Sequence, residues 1–321
     1  MKNFLPFIFI AFVARIVASS LVLTPFGFRP KECVLEVPSG SHVEEDSLTN
    51  ELVITHPTHG TWRHPAAESC SSLKYAPKSH ISFASSKRKI TCDSLPCNDW
   101  IDNAGWMIEP YNKEPYIGGF SAVMSVPETP SSGNTQTIFY FPGAENTNGK
   151  PRGGQPKPSG RAILQPVLTY GPNTNCLESH NKSKSGWCIS SWYCCPKNIT
   201  VHSPYLGEVK PGDEWLGFFN LTNPNTFETV SRNSKTGLET KLSCPKQGRN
   251  FNWADVTLEI YAVKSCSELP GGKMQFSNLS LWDENMKPLQ PQWTTTHNKP
   301  CDGRVTVDRE KKSITIEHGD A

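Results

Sequence analysis

Val256-Thr-Leu-Glu-Ile-Tyr-Ala-Val263 alternates apolar residues with Thr257, Glu259 and Tyr261. A strand turns successive side chains to opposite faces, so a period of two describes a strand with one face on an apolar core. Thr137-Ile-Phe-Tyr-Phe141 is a denser run of β-formers, and Pro142-Gly143 after it reads as a stop. Working outward, Gly105–Glu109, Ile117–Val126, Arg161–Tyr170, Trp187–Tyr193 and Trp215–Leu221 read as further strands. Pro166 inside one of them suggests a sheet edge or a bulge, because proline donates no ladder hydrogen bond. Val305–Asp308 and Ser313–His318, joined by Arg309-Glu-Lys-Lys312, read as a closing hairpin. The 27 Pro and 23 Gly supply turns for many short strands. No segment sustains a helical apolar period. The expected fold is all-β, an antiparallel β-sandwich in which two half-apolar sheets each bury one face.

The ends of the chain set its compartment. Lys2, the apolar run Phe4–Ala14 and the small residues Ala18-Ser-Ser20 have the layout of a secretory signal peptide, too short to span a bilayer. Lys2 and Arg15 lie in that segment, and the rest of the chain then balances its basic and acidic residues. Such balance argues against a nucleic-acid or polybasic membrane partner. No later stretch is long and apolar enough for a transmembrane anchor. Eleven cysteines follow residue 20, an odd number, so one thiol is expected to be free or paired with another chain. Cys92 with Cys97, and Cys176 with Cys188, bracket short polar loops and are the expected bridges. Sequons at Asn181, Asn198, Asn220 and Asn278 predict exposed, glycosylated positions. The expected organisation is a signal peptide (1–20), a cysteine-containing N-terminal extension (21–100) and the sandwich (101–321). No cofactor is implied. His56, His59 and His64 lie among Pro and Gly with no cysteine or carboxylate at a spacing that completes a metal site, so they read as a solvated loop.

Three blocks stand in a fixed order: Ala162-Ile-Leu-Gln165-Pro-Val-Leu168, Ser191-Trp-Tyr193 running to Pro196, and Val209-Lys-Pro-Gly-Asp213. Upstream lie Asn103-Ala-Gly105 and Ser125-Val-Pro127. Together they resemble the glutamic peptidases, or eqolisins, over about Ala104 to Asp283, more than half of the mature chain. The resemblance implies a concanavalin-like β-sandwich and secreted acid endopeptidase chemistry by a Gln–Glu dyad, with Gln165 matching the catalytic Gln. The Glu acts as acid and base on a water, and the Gln amide orients that water and steadies the oxyanion. The resemblance places the Glu after Trp192-Tyr193, where this chain has Cys194-Cys195-Pro196. A thiol, protonated in acid and a poor proton donor, does not replace a carboxylic acid there.

Three readings follow. The first is a secreted, glycosylated, peptidase-like pseudoenzyme that binds an extracellular polypeptide or glycan without efficient cleavage, using Trp187, Trp192, Tyr193 and Trp215 as an aromatic cleft. The second is an acid endopeptidase using Gln165 with a relocated carboxylate, from Glu109, Glu214 or Glu259. Of these, Glu259 stands at the alternate positions of its strand. The third is a lectin-like glycan binder, by analogy of fold. A cysteine nucleophile at Cys194 or Cys195 with His180 or His202 is the weakest scheme, since cysteines of secreted chains are usually bridged.

Overall fold

The computed structural model describes residues 21–71, 97–108, 115–133, 135–146, 162–171, 177–178, 181–298 and 300–318. Two large sheets dominate. The first runs, edge to edge, through Thr294–Thr296, Cys97–Met107, Trp253–Val263, Thr137–Glu145, Ile163–Tyr170, Trp187–Cys194, Thr200–His202 and Val34–Glu36, with Leu206–Val209 also pairing with Trp187–Cys194. The second runs through Arg304–Asp308, Ser313–Glu317, Lys273–Asp283, Ile117–Ser125, Glu214–Asn223, Thr226–Asn233, Glu239–Pro245, Ser41–Glu45, Glu51–His56 and Gly60–Pro65. Pairing is antiparallel except where Val34–Glu36 joins Thr200–His202 and Ser41–Glu45 joins Glu239–Pro245. The fold is an all-β sandwich.

Residues 34–65 therefore add strands to both sheets, and the strand Cys97–Met107 runs across residue 100. These parts of the segment expected as an extension ahead of the sandwich are woven into it. Residues 1–20, expected as a signal peptide, and Glu109, Cys92, Cys176 and His180 lie outside the described residues.

Alternation builds the core. Leu164 and Leu168, Tyr140 and Ala144, and Val256, Leu258 and Ile260 project from the first sheet onto Phe120, Met124, Phe219 and Phe276 of the second. The layers touch where Gly217 faces Pro166, since a Cβ on Gly217 would lie 2.9 Å from Pro166 Cγ. Ser191 Oγ bonds Thr240 O at 3.0 Å, and Ser231 Oγ donates to Ser190 O at 2.9 Å, tying the two layers through polar contacts.

Two sequence expectations change here. Pro142-Gly143 does not stop its strand, which runs to Glu145, and Pro166 lies in a central strand of the first sheet. The register on either side, Tyr140 with Leu168 and Ala144 with Leu164, puts Pro142 across from Pro166. Neither residue carries an N–H, and the ladder between these two strands is interrupted around them, from Gln165 and Gly143 to Val167 and Phe141. The two residues without an N–H thus face each other, so the donors missing from this ladder fall in one place rather than two.

Disulfides join Cys33 to Cys70, Cys266 to Cys301, and the neighbours Cys194 and Cys195. Cys188 is also disulfide-bonded. Among the described residues the free thiol is Cys244, which is buried, and burial pushes it up to about 12. A bridge from Cys244 to a second chain would require its strand to open. A buried ion pair between Arg249 and Glu45 anchors Ser41–Glu45, and the guanidinium carbon stands 5.8 Å from the Tyr193 ring centre.

Candidate functional site

The residues facing away from the core on the first sheet form the site. Along Ile163–Tyr170 they are Ile163, Gln165, Val167 and Thr169, because Leu164 and Leu168 point inward. Gln165 pairs with Trp192 on one side. On the other side the register carries it to Gly143, which pairs with Asp255, which in turn pairs with Gly105. One row across the sheet thus reads His202, Trp192, Gln165, Gly143, Asp255, Gly105.

Gly143 lies between the Gln165 and Asp255 side chains. A Cβ there would lie 2.8 Å from Asp255 Oδ1 and 3.3 Å from Gln165 Cγ, so the absence of a side chain at Gly143 is what lets the carboxylate and the glutamine close over it from either side. Asp255 Oδ2 accepts a hydrogen bond from Thr257 Oγ1 at 2.5 Å, which holds the carboxylate from one side. Gln165 is 4% exposed, and its Oε1 has no hydrogen-bond partner among the described residues. Asn103, one step along the face and paired with Thr257, has an Oδ1 in the same condition. A buried acceptor without a donor costs about 1–3 kcal/mol, which a bound donor such as water or a ligand N–H would recover.

The aromatic side of the row is polarised by burial. The Trp192 indole N–H donates to Ser190 Oγ at 2.7 Å, and its ring stacks on His202 with centroids 4.5 Å apart. His202 Nδ1 lies 2.9 Å from Ser203 O. A carbonyl only accepts, so Nδ1 carries the proton of the neutral ring. Burial lowers the His202 pKa to about 4.

Other site expectations are placed differently. Glu259 is on this face, but two rows away from Asp255, opposite Phe139, and it accepts a hydrogen bond from Tyr261 OH. Glu214 is exposed and belongs to the other sheet. Of the aromatic cleft, Trp192 alone lies on the site face. Tyr193, Trp187 and Trp215 fill the core between the sheets. Trp192 and Tyr193 are neighbours on one strand and must point to opposite faces. Cys194 and Cys195 bond to each other, so neither offers a thiolate, and Cys194 pairs with Ile163 rather than Gln165. Asn278 is exposed, whereas Asn198 and Asn220 are half-buried. His56 is engaged in its own turn, where Nδ1 accepts from the backbone N–H of Thr58 and of His59.

Sequence reasoning missed Asp255. The signal was present, because Asp255 continues the alternation of Thr257, Glu259 and Tyr261 by one more step. Starting the strand at Val256 left it just outside.

Fold and row together define an all-β sandwich with a buried amide–carboxylate pair on the outer face of one sheet. The chain is distantly similar to scytalido-glutamic peptidase solved with a peptide-based transition-state analogue, with 12% identity and a TM-score of 0.48 over 68% of this chain and 98% of that one. It is also similar to SCP-B, an eqolisin-family peptidase in complex with the tripeptide Ala-Ile-His, with 12% identity and a TM-score of 0.44 over 68% and 98% of the two chains. No protein-family model matches the chain, and no curated protein does.

Proposed function

We propose that the chain is a secreted acid peptidase in which Gln165 and Asp255 cleave the peptide bonds of an extracellular polypeptide. The observation carrying this reading is that a buried amide and a buried carboxylate meet over Gly143, with Asp255 Oδ1 and Gln165 Cγ closing on it from either side. A water bridging the two side chains donates one hydrogen to Gln165 Oε1 and the other to Asp255. Asp255 takes that proton as the water oxygen attacks the substrate carbonyl. Gln165 Nε2 donates to the resulting oxyanion. Asp255 then returns the proton to the amide nitrogen as the C–N bond breaks. The reading of a cleft that grips without cutting depended on the missing acid after Tyr193, and Asp255 supplies one from another strand. Secretion and glycosylation belong to the same proposal, supported by the leader-like N-terminus, the sequons and the paired cysteines.

The test is cleavage of denatured casein from pH 2 to 7. Activity should rise below about pH 5, as in the acid peptidases that the motifs around Gln165 resemble. It should fall by about 10²-fold or more in Gln165→Ala and in Asp255→Asn. Cleavage that survives both substitutions overturns the assignment. So does its absence both in the native chain and in one whose site face has been uncovered.

A further inference from the structure

Asp255, Gln165 and Trp192 are all buried although they lie on the outer face of a sheet. Part of what covers that face is a hairpin belonging to neither large sheet, Leu21–Thr24 paired with Gly27–Pro30. Leu23 and Phe26 pack with Phe141, Ile163, Trp192 and Tyr261. The Phe26 ring meets Trp192 edge-on at 6.3 Å, and the Phe28 ring meets Tyr261 edge-on at 6.0 Å. Trp192 is the direct neighbour of Gln165 in the row, and Tyr261 lies on the Asp255 strand, so the hairpin reaches both sides of the site. Its turn is fixed internally, since Thr24 Oγ1 donates to Gly27 O at 2.9 Å and accepts from Phe26 N at 3.2 Å. Yet Gln165 Oε1 still lacks a donor among the described residues. The hairpin fills the apolar seats of the face without engaging its reactive amide.

We propose that Leu21–Pro30 is an internal occupant of the cleft, that it marks the seat beside Trp192 as one for an aromatic side chain, and that it must lift before an extended polypeptide can enter. This rests on the reading of Gln165 and Asp255 as the site. A substrate strand would place a bulky apolar residue where Phe26 sits and bring its backbone to the amide that the hairpin leaves unsatisfied.

The probe is a fluorescein-labelled peptide with the sequence of residues 21–30, added to the full mature chain and followed by anisotropy. Phe26→Asp puts a charge into an apolar seat and should release the hairpin. The variant should bind the probe about tenfold or more tighter than the native chain. Adding Trp192→Ala should abolish that binding, as should replacing the probe's own Phe at the Phe26 position with Ser. Equal binding by the native chain and the variant overturns the proposal. Tighter binding with no cleavage of casein at any pH keeps the occupant and removes the peptidase. Casein cleavage that is equally fast in both forms keeps the peptidase and removes the occupant. Should Phe26→Asp fail to fold, Leu23→Ser with Phe26→Ser is the second variant. Hydrogen exchange then decides in the native chain, where amides of Leu21–Pro30 exchanging as fast as in the free peptide would refute docking.

Discussion

Acid should weaken this fold through one imidazole. His202 is buried against Trp192 and Tyr205, and its strand pairs with Val34–Glu36, which places Glu36 opposite it in the register. Its pKa falls from 6.5 to about 4 because burial penalises the charged ring. As pH drops through 6.5 the unfolded chain takes up a proton that the folded chain refuses, so the unfolded state binds more protons and stability falls. The loss grows until pH reaches about 4 and then levels off, since both states are protonated below that. At about 1.4 kcal/mol per pH unit, the gap is worth about 3 kcal/mol. His202→Phe keeps an aromatic stack on Trp192 and removes the titration. Guanidinium unfolding at pH 7 and pH 4 should show the native chain losing about 3 kcal/mol more than His202→Phe between the two conditions. The comparison cancels other titrating groups, including His64, whose pKa is also lowered by burial. Identical losses in the two proteins would refute the reasoning.

Two further outcomes follow from the packing. Glu45→Ala leaves the Arg249 guanidinium buried without its carboxylate and should cost about 3–5 kcal/mol by urea unfolding, whereas Glu45→Leu with Arg249→Met together should recover most of it. A single-variant cost below about 1 kcal/mol would show the pair to be solvated. Gly143→Ala puts a methyl 2.8 Å from Asp255 Oδ1 and 3.3 Å from Gln165 Cγ, so it must push the carboxylate and the amide apart. It should abolish casein cleavage while costing only about 1–3 kcal/mol of stability, and a variant that cleaves as well as the native chain would show that the close approach of amide and carboxylate over residue 143 is not what cuts.

The sandwich was legible because period-two alternation survives in its long strands, above all Trp253–Val263 and Ile117–Ser125. Short edge strands such as Val34–Glu36 and Ser41–Glu45 were not, because three to five residues give alternation too little length to stand out, and their partners lie far away in sequence. Pro142 and Pro166 misled for one shared reason. Each argues against a central strand when considered alone, and only the register shows that they face one another. Gln165 was visible through its motif. Asp255 was not, because no local pattern ties it to Gln165; only two successive pairings through Gly143 bring them together.

The facing prolines have a mechanical consequence. At that rung, immediately beside Gln165 and Gly143, the two strands share no backbone hydrogen bond that would resist their parting. The floor beneath the amide can flex there while the rungs at Ala144 and Tyr140 hold like rivets on either side. A guest strand pressing down on this groove would meet a hinge in the sheet instead of a rigid plate.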